Sequence, residues 1–220
     1  MPAHEREQIF SPRLALGLKL AVLVLALALP ASVGFAVWRE HSYQALGAPV
    51  AQPIPFSHKH HVGDDGIDCR YCHRTVETQR HAGLPSTHVC LTCHSQLYAT
   101  APVLEPLRES ERSGRPIAWQ RVHRLPDFVF FDHGVHLAKG VGCVECHGRV
   151  DQMPITWRAQ PLQMQWCLQC HRDPAPHLRP REQLFDMAAP RLAKDDARRL
   201  AQAAHLESTR RLTDCSTCHR

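Results

Sequence analysis

The chain has 220 residues, with ten cysteines, seventeen histidines and seventeen prolines, but only 6% aromatic residues. That length permits one ordinary core, yet so few aromatic side chains among so many prolines leave too little regular apolar mass to fill it. The formal charge of +5 comes without interleaved basic and aromatic residues, so it does not argue for nucleic acid as a partner. No nucleophile–base arrangement or glycine-rich phosphate loop stands out either.

From Leu14 to Trp38 the chain is apolar except for Lys19, with Arg6, Arg13 and Lys19 on the N-terminal side. The stretch is long enough to span a membrane. A cleavable signal peptide is the rival reading, with Ala26-Leu27-Ala28 as a small-residue cleavage site. The apolar run continues past Pro30 to an interfacial Trp38-Arg39 pair, which favours an uncleaved anchor. Residues 1–39 are therefore expected to be a cytoplasmic N-terminus and a transmembrane helix. This makes a single-pass protein of the cell inner membrane, with everything after about Arg39 in the periplasm. Residues 40–55, rich in Ala, Pro and Gln, read as a linker.

All ten cysteines fall in five copies of Cys-x-x-Cys-His. These are Cys69-Cys72-His73, Cys90-Cys93-His94, Cys143-Cys146-His147, Cys167-Cys170-His171 and Cys215-Cys218-His219. In each, two thiols can attach the vinyl groups of a c-type haem, and the adjoining histidine can bind the iron. Disulfides or zinc ribbons would not require a histidine after every pair. Five covalently bound haems are expected, and they would supply the missing apolar mass. Each oxidised haem with two neutral axial ligands and two ionised propionates adds about −1, which brings the loaded protein near neutrality.

The motifs lie in a repeat. Phe56-Ser57-His58-Lys59-His60-His61 precedes Cys69, and Phe131-Asp132-His133-Gly134-Val135-His136 precedes Cys143. A second motif follows in each half. The expected organisation is a dihaem unit at 56–97, a connector at 98–130, a second dihaem unit at 131–180, and a helical tail at 181–220 that carries the fifth haem. The tail reads as helix from Arg181 to Leu212, interrupted at Pro190. Arginines spread through the connector (Arg108, Arg112, Arg115, Arg121, Arg124) are candidate partners for haem propionates, or simply a solvated face.

Twelve histidines remain outside the motifs, His4 and His41 in the N-terminal part among them. Imidazole as the second axial ligand favours low-potential electron carriage. The Phe-x-His-x-x-His pattern resembles the small multihaem cytochromes of the c3 and c7 type. The resemblance implies that His58 serves the haem at Cys69 and His133 the haem at Cys143. It implies also that His61 and His136 serve other haems, such as those at Cys90 and Cys167. For the fifth haem the candidates are Met153, Met164 and His123, with His177 and His205 behind them.

The fold class that follows is a mainly α, otherwise irregular multihaem cytochrome c built from c3/c7-like dihaem repeats, with one N-terminal transmembrane helix. The stretch Pro55 to Arg181 resembles the pentahaem subunit of alternative complex III, a bacterial quinol:electron acceptor complex. The residues that carry the likeness include Phe56-Ser57-His58-Lys59-His60-His61, Ile67-Asp68-Cys69-Arg70-Tyr71-Cys72-His73, Lys139-Gly140-Val141-Gly142-Cys143 and Met164-Gln165-Trp166-Cys167-Leu168. This resemblance implies an electron-transfer subunit without a substrate site of its own, passing electrons from quinol oxidation to a monohaem cytochrome or a terminal oxidase. The implied neighbours are an iron–sulfur, molybdopterin-like subunit and polytopic membrane subunits. A stand-alone membrane-anchored quinol dehydrogenase feeding a periplasmic reductase is the alternative. A catalytic multihaem reductase is disfavoured, because all five motifs end in histidine.

Overall fold

The structure is a computed structural model that describes residues 11–44 and 46–219, with the side chains of 40–44 outside the description. His4, Arg6 and the side chain of His41 therefore lie outside the described residues. The chain divides into two units, Met1–Ala45 and Leu46–Arg220.

The first unit is one helix, α1 (Pro12–Gln44), which retains Pro30 in its interior. Leu, Ala and Val dominate it, and between Pro12 and Arg39 it is long and apolar enough to cross a membrane. Its large apolar side chains are exposed throughout, from Leu14 to Trp38. Helix continues five residues beyond Arg39, into the segment expected to be linker.

The second unit is a succession of short helices and turns. A π-helical turn (Lys59–Asp64) is followed by α2 (Cys69–Cys72), α3 (Thr87–His94) and α4 (Glu105–Ser113). Then come α5 (His133–Ala138), α6 (Cys143–His147), α7 (Met164–Arg172), α8 (Lys194–Ala203), α9 (Thr209–Leu212) and α10 (Cys215–Cys218). Among the described residues there is no sheet, only isolated bridges such as Val129 with His219 and Val141 with Leu178. Each attachment motif sits on its own short helix. Asp68 and Asp214 cap α2 and α10 by accepting from the Arg70 and Ser216 amides.

Two expectations need adjustment. The linker is pinned from Leu46 onward: Gly47 N–H donates to the Arg158 carbonyl (2.9 Å), Val50 N–H to that of Thr156 (3.1 Å), and Ile54 is buried. The stretch 181–212 is not one interrupted helix, since it holds a 3₁₀ turn at Arg181–Gln183, then α8 and α9. Pro180 and Pro190 lack the amide that a helix needs, and His205 takes a left-handed φ of 46°, which ends α8.

Conventional packing is sparse. The compact cluster is Val76, Leu137 and Leu184, with Ala82, Cys143 and Phe185 against it. Meanwhile Tyr71, Leu84, Leu97, Tyr98, Phe128 and Met164 are exposed. The two halves nevertheless meet closely. A side chain at Gly63 would overlap the carbonyl oxygen of Asp151, so the turn bearing His58 and His61 lies directly on the loop after α6.

Candidate functional site

The geometry is best read from the imidazoles. With a metal–nitrogen bond of about 2 Å, two imidazoles bound to opposite faces of one iron hold their ring centroids about 6 Å apart. His58 and His73 face each other at 6.5 Å with planes only 8° apart, and His133 and His147 at 6.3 Å and 12°. His136 and His171 stand at 6.1 Å and 29°, His61 and His94 at 6.1 Å and 60°. In each pair one ring follows a Cys-x-x-Cys and the other comes from a Phe-x-His-x-x-His segment. The spacing explains the division of labour. Residues three apart share a face of a helical turn, so His58 and His61 reach two adjacent gaps from one turn, as His133 and His136 do from α5. Phe56 and Phe131 brace these rings, stacking on His61 and His136 at 4.5 Å and meeting His58 and His133 edge-on.

The second ring nitrogen decides which nitrogen is free for iron. A carbonyl oxygen only accepts, so a histidine whose Nδ1 meets one must carry its proton there and leave the Nε2 lone pair for a metal. Nδ1 donates to the Gly83 carbonyl in His73 (2.8 Å), to Leu97 in His94 (2.9 Å) and to Leu212 in His171 (2.9 Å). Among the upstream rings, His61 donates to Ser57 (2.9 Å), His133 to Arg80 (2.9 Å) and His136 to Asp132 (2.7 Å). His58 instead meets the Thr156 hydroxyl at 2.9 Å. Burial pushes His58 down to about 4, His147 to about 3 and His136 below its ordinary value, helped by neighbouring imidazoles, so all three are neutral at physiological pH. Neutral imidazole is the form that ligates.

The thiols follow the same gradient of burial. Those of Cys143 and Cys146 are pushed up to about 12, chiefly by burial, with Cys69 near the first and Cys170 and Cys167 near the second.

The residues present fit c-type haem. The facing rings have the right separation and tautomer, and exposed apolar side chains surround the motifs. The buried Nε of Arg158 has no partner, as suits a guanidinium group able to take a carboxylate. When bound, c-type haem supplies a one-electron iron couple.

His219 is placed differently. Its ring contact is with Phe128, at 5.8 Å, and among the described residues no imidazole faces it across such a gap. Met153 is 2% exposed and packed beside Gly148. Met164 is 65% exposed at the start of α7. His123 lies edge-on against His147 at 4.4 Å, with burial holding it down to about 4 and its Nε2 buried without a partner. Of the connector arginines, Arg108 binds Glu105 and the carbonyls of Ala99 and Ala101, and Arg112 binds Glu105 and Glu109.

Sequence reasoning missed Thr156 and Glu145. Glu145, inside the third motif, has a side chain only 7% exposed and accepts from His177 Nδ1 (2.9 Å), Arg179 (3.2 Å) and Arg191 (3.1 Å). Burial alone would push its carboxyl up, but these three donors overcome that and hold it below the usual range. An acid between the two cysteines of a motif was the available signal for Glu145. Nothing in the local sequence marks Thr156.

A family model for cytochrome c7 and related cytochrome c matches residues 129–220, which hold the last three motifs together with His133 and His136. This segment is a c7-type multihaem cytochrome c domain. Electron transport through haem is the business of such a domain. The chain is also similar to the multihaem cytochrome c subunit of menaquinone reductase from Nitratidesulfovibrio vulgaris, with 39% identity over 127 residues. The match covers 56% of this chain and 53% of the relative, so the chain spans about half the length of the curated relative that it matches.

Proposed function

We propose that this chain is a membrane-anchored pentahaem cytochrome c subunit that relays electrons between the quinone pool and a redox partner in the periplasm. The observation that carries the proposal is the set of four facing imidazole pairs, each joining a motif histidine to one from a Phe-x-His-x-x-His segment. Saturated axial positions make outer-sphere carriers, and they leave no open iron for a substrate. His73, His94, His147, His171 and His219 are the proximal ligands. His58, His61, His133 and His136 are the distal ligands of the haems at Cys69, Cys90, Cys143 and Cys167.

For the fifth haem we assign Met164 as distal ligand. Its helix α7 lies against the tail, because His171 at its far end bonds the Leu212 carbonyl three residues before Cys215. Met153 is sealed in the interior and His123 is engaged with His147.

Resemblance to the alternative complex III subunit supports quinol oxidation as the electron source, with a periplasmic cytochrome or terminal oxidase as the sink. The relative's name favours a second reading, in which electrons run from a periplasmic donor to menaquinone. Both need an iron–sulfur, molybdopterin-like subunit or its equivalent and polytopic membrane subunits beside the cytochrome. A native pull-down from solubilised membranes tests this, with subunits identified and quinol oxidation and quinone reduction assayed in parallel. Co-purification of those subunits supports the relay. An isolated cytochrome that itself oxidises quinol replaces it with the stand-alone dehydrogenase.

A further inference from the structure

We infer that the five attachment motifs form one unbranched line in space, in the order Cys90, Cys69, Cys143, Cys167, Cys215, so that the second and fifth motifs of the sequence are the two ends at which electrons enter and leave. The inference rests on the pentahaem reading above and adds the path to it.

Each link rests on a hydrogen bond, a packed cluster or a shared helix. The first and second motifs are joined through Tyr71 and Thr92, one residue inside each, whose hydroxyls meet at 2.7 Å. Their facing histidines, His58 and His61, ride on one helical turn, so the two gaps are neighbours. The first and third motifs are joined across the halves of the domain. His58, facing the first motif, bonds Thr156, nine residues beyond the third motif's histidine, while His133, facing the third, bonds the Arg80 carbonyl in the loop after the first. The hydrophobic cluster packs Val76 from that loop with Leu137, against Cys143.

The third and fourth motifs share α5, whose His133 and His136 face His147 and His171. The fourth and fifth are joined by the bond from His171 Nδ1 to the Leu212 carbonyl. Among the described residues, no hydrogen bond, ion pair or ring contact joins the second motif to the fourth or fifth.

Exposure agrees with this order. Of the ten cysteines, the exposed ones are Cys93 and Cys215, one in each end motif. Sequence order alone would put the first motif at one end. Instead it is interior to the line, because the second motif folds back over it and the second half docks on its other side.

Two measurements on the full-length holoprotein test this. The iron positions, read by cryo-electron microscopy, should give nearest neighbours in the stated order; any branch, or an iron at Cys90 or Cys215 with two near neighbours, overturns it. In a pulsed-reduction experiment, Cys69→Ala with Cys72→Ala should remove one of the four remaining centres from the rapidly equilibrating set. Cys215→Ala with Cys218→Ala should leave all four in it, and equal behaviour of the two variants refutes the order. If the first variant fails to fold, the wild-type iron positions decide. The haem-to-protein ratio of the same samples separates the two failures: fewer than five haems sinks the pentahaem reading, whereas five in another order sinks only this inference.

Discussion

His58 Nδ1 lies 2.9 Å from the hydroxyl of Thr156, 98 residues further along the chain. The matching ring of the second half, His133, is held by the Arg80 carbonyl 53 residues before it. Each half of the haem domain therefore orients one of the other half's upstream histidines, and neither site is complete without its neighbour.

Thr156→Val removes the acceptor for His58 and nothing else of comparable size. A net cost of about 1 kcal/mol in stability is expected. The distinctive effect should be spectroscopic: one haem changes its g-values and midpoint potential while the others keep theirs, and Thr156→Ser restores it. A uniform change in all haems, or none, would show that the hydroxyl merely packs.

Gly63→Ala tests the contact between the halves. The new methyl would collide with the backbone of Asp151, which cannot swing aside as a side chain does. A loss of about 1–3 kcal/mol is expected in denaturant unfolding of the holoprotein, of the size typical of overpacking.

Glu145→Ala should be more damaging. Arg179 has only 5% of its side chain exposed, and removing Glu145 leaves its charge buried. Breaking one partner of such a pair costs about 3–5 kcal/mol. Thermal melts of the holoprotein should fall accordingly, while Arg191→Ala, on an exposed partner, should shift them little.

Met164→Ala should abolish thioether ligation at the tail haem. One centre should lose its sulfur-to-iron charge-transfer band and drop in potential, because methionine raises haem potentials relative to histidine. An unchanged band and titration would remove Met164 from the ligand set.

Much of this arrangement is legible in the sequence and some is not. The motif spacing and the i, i+3 placement of His58 with His61 and of His133 with His136 depend on local geometry, which sequence carries directly. The partner of each Nδ1 does not. Gly83, Leu97, Leu212 and Arg80 contribute through backbone carbonyls, which any residue type provides, and Thr156 acts across the whole domain. The tail departs from its sequence pattern for a related reason. Charged residues with helical propensity suggest helix from Arg181 to Leu212 interrupted at Pro190, yet the 140–142 segment packs closely on Arg179, and after the 3₁₀ turn at Arg181–Gln183 the backbone to Ala193 is irregular.

The proposed relay requires that five haems are bound and that the four facing histidine pairs ligate four of them. It is tested most directly by electron paramagnetic resonance of the oxidised full-length holoprotein, combined with its haem-to-protein ratio. Five covalent haems per chain are expected, at least four of them low-spin with two imidazole ligands. Fewer than five haems, or a high-spin signal from any of the first four motifs, would contradict it.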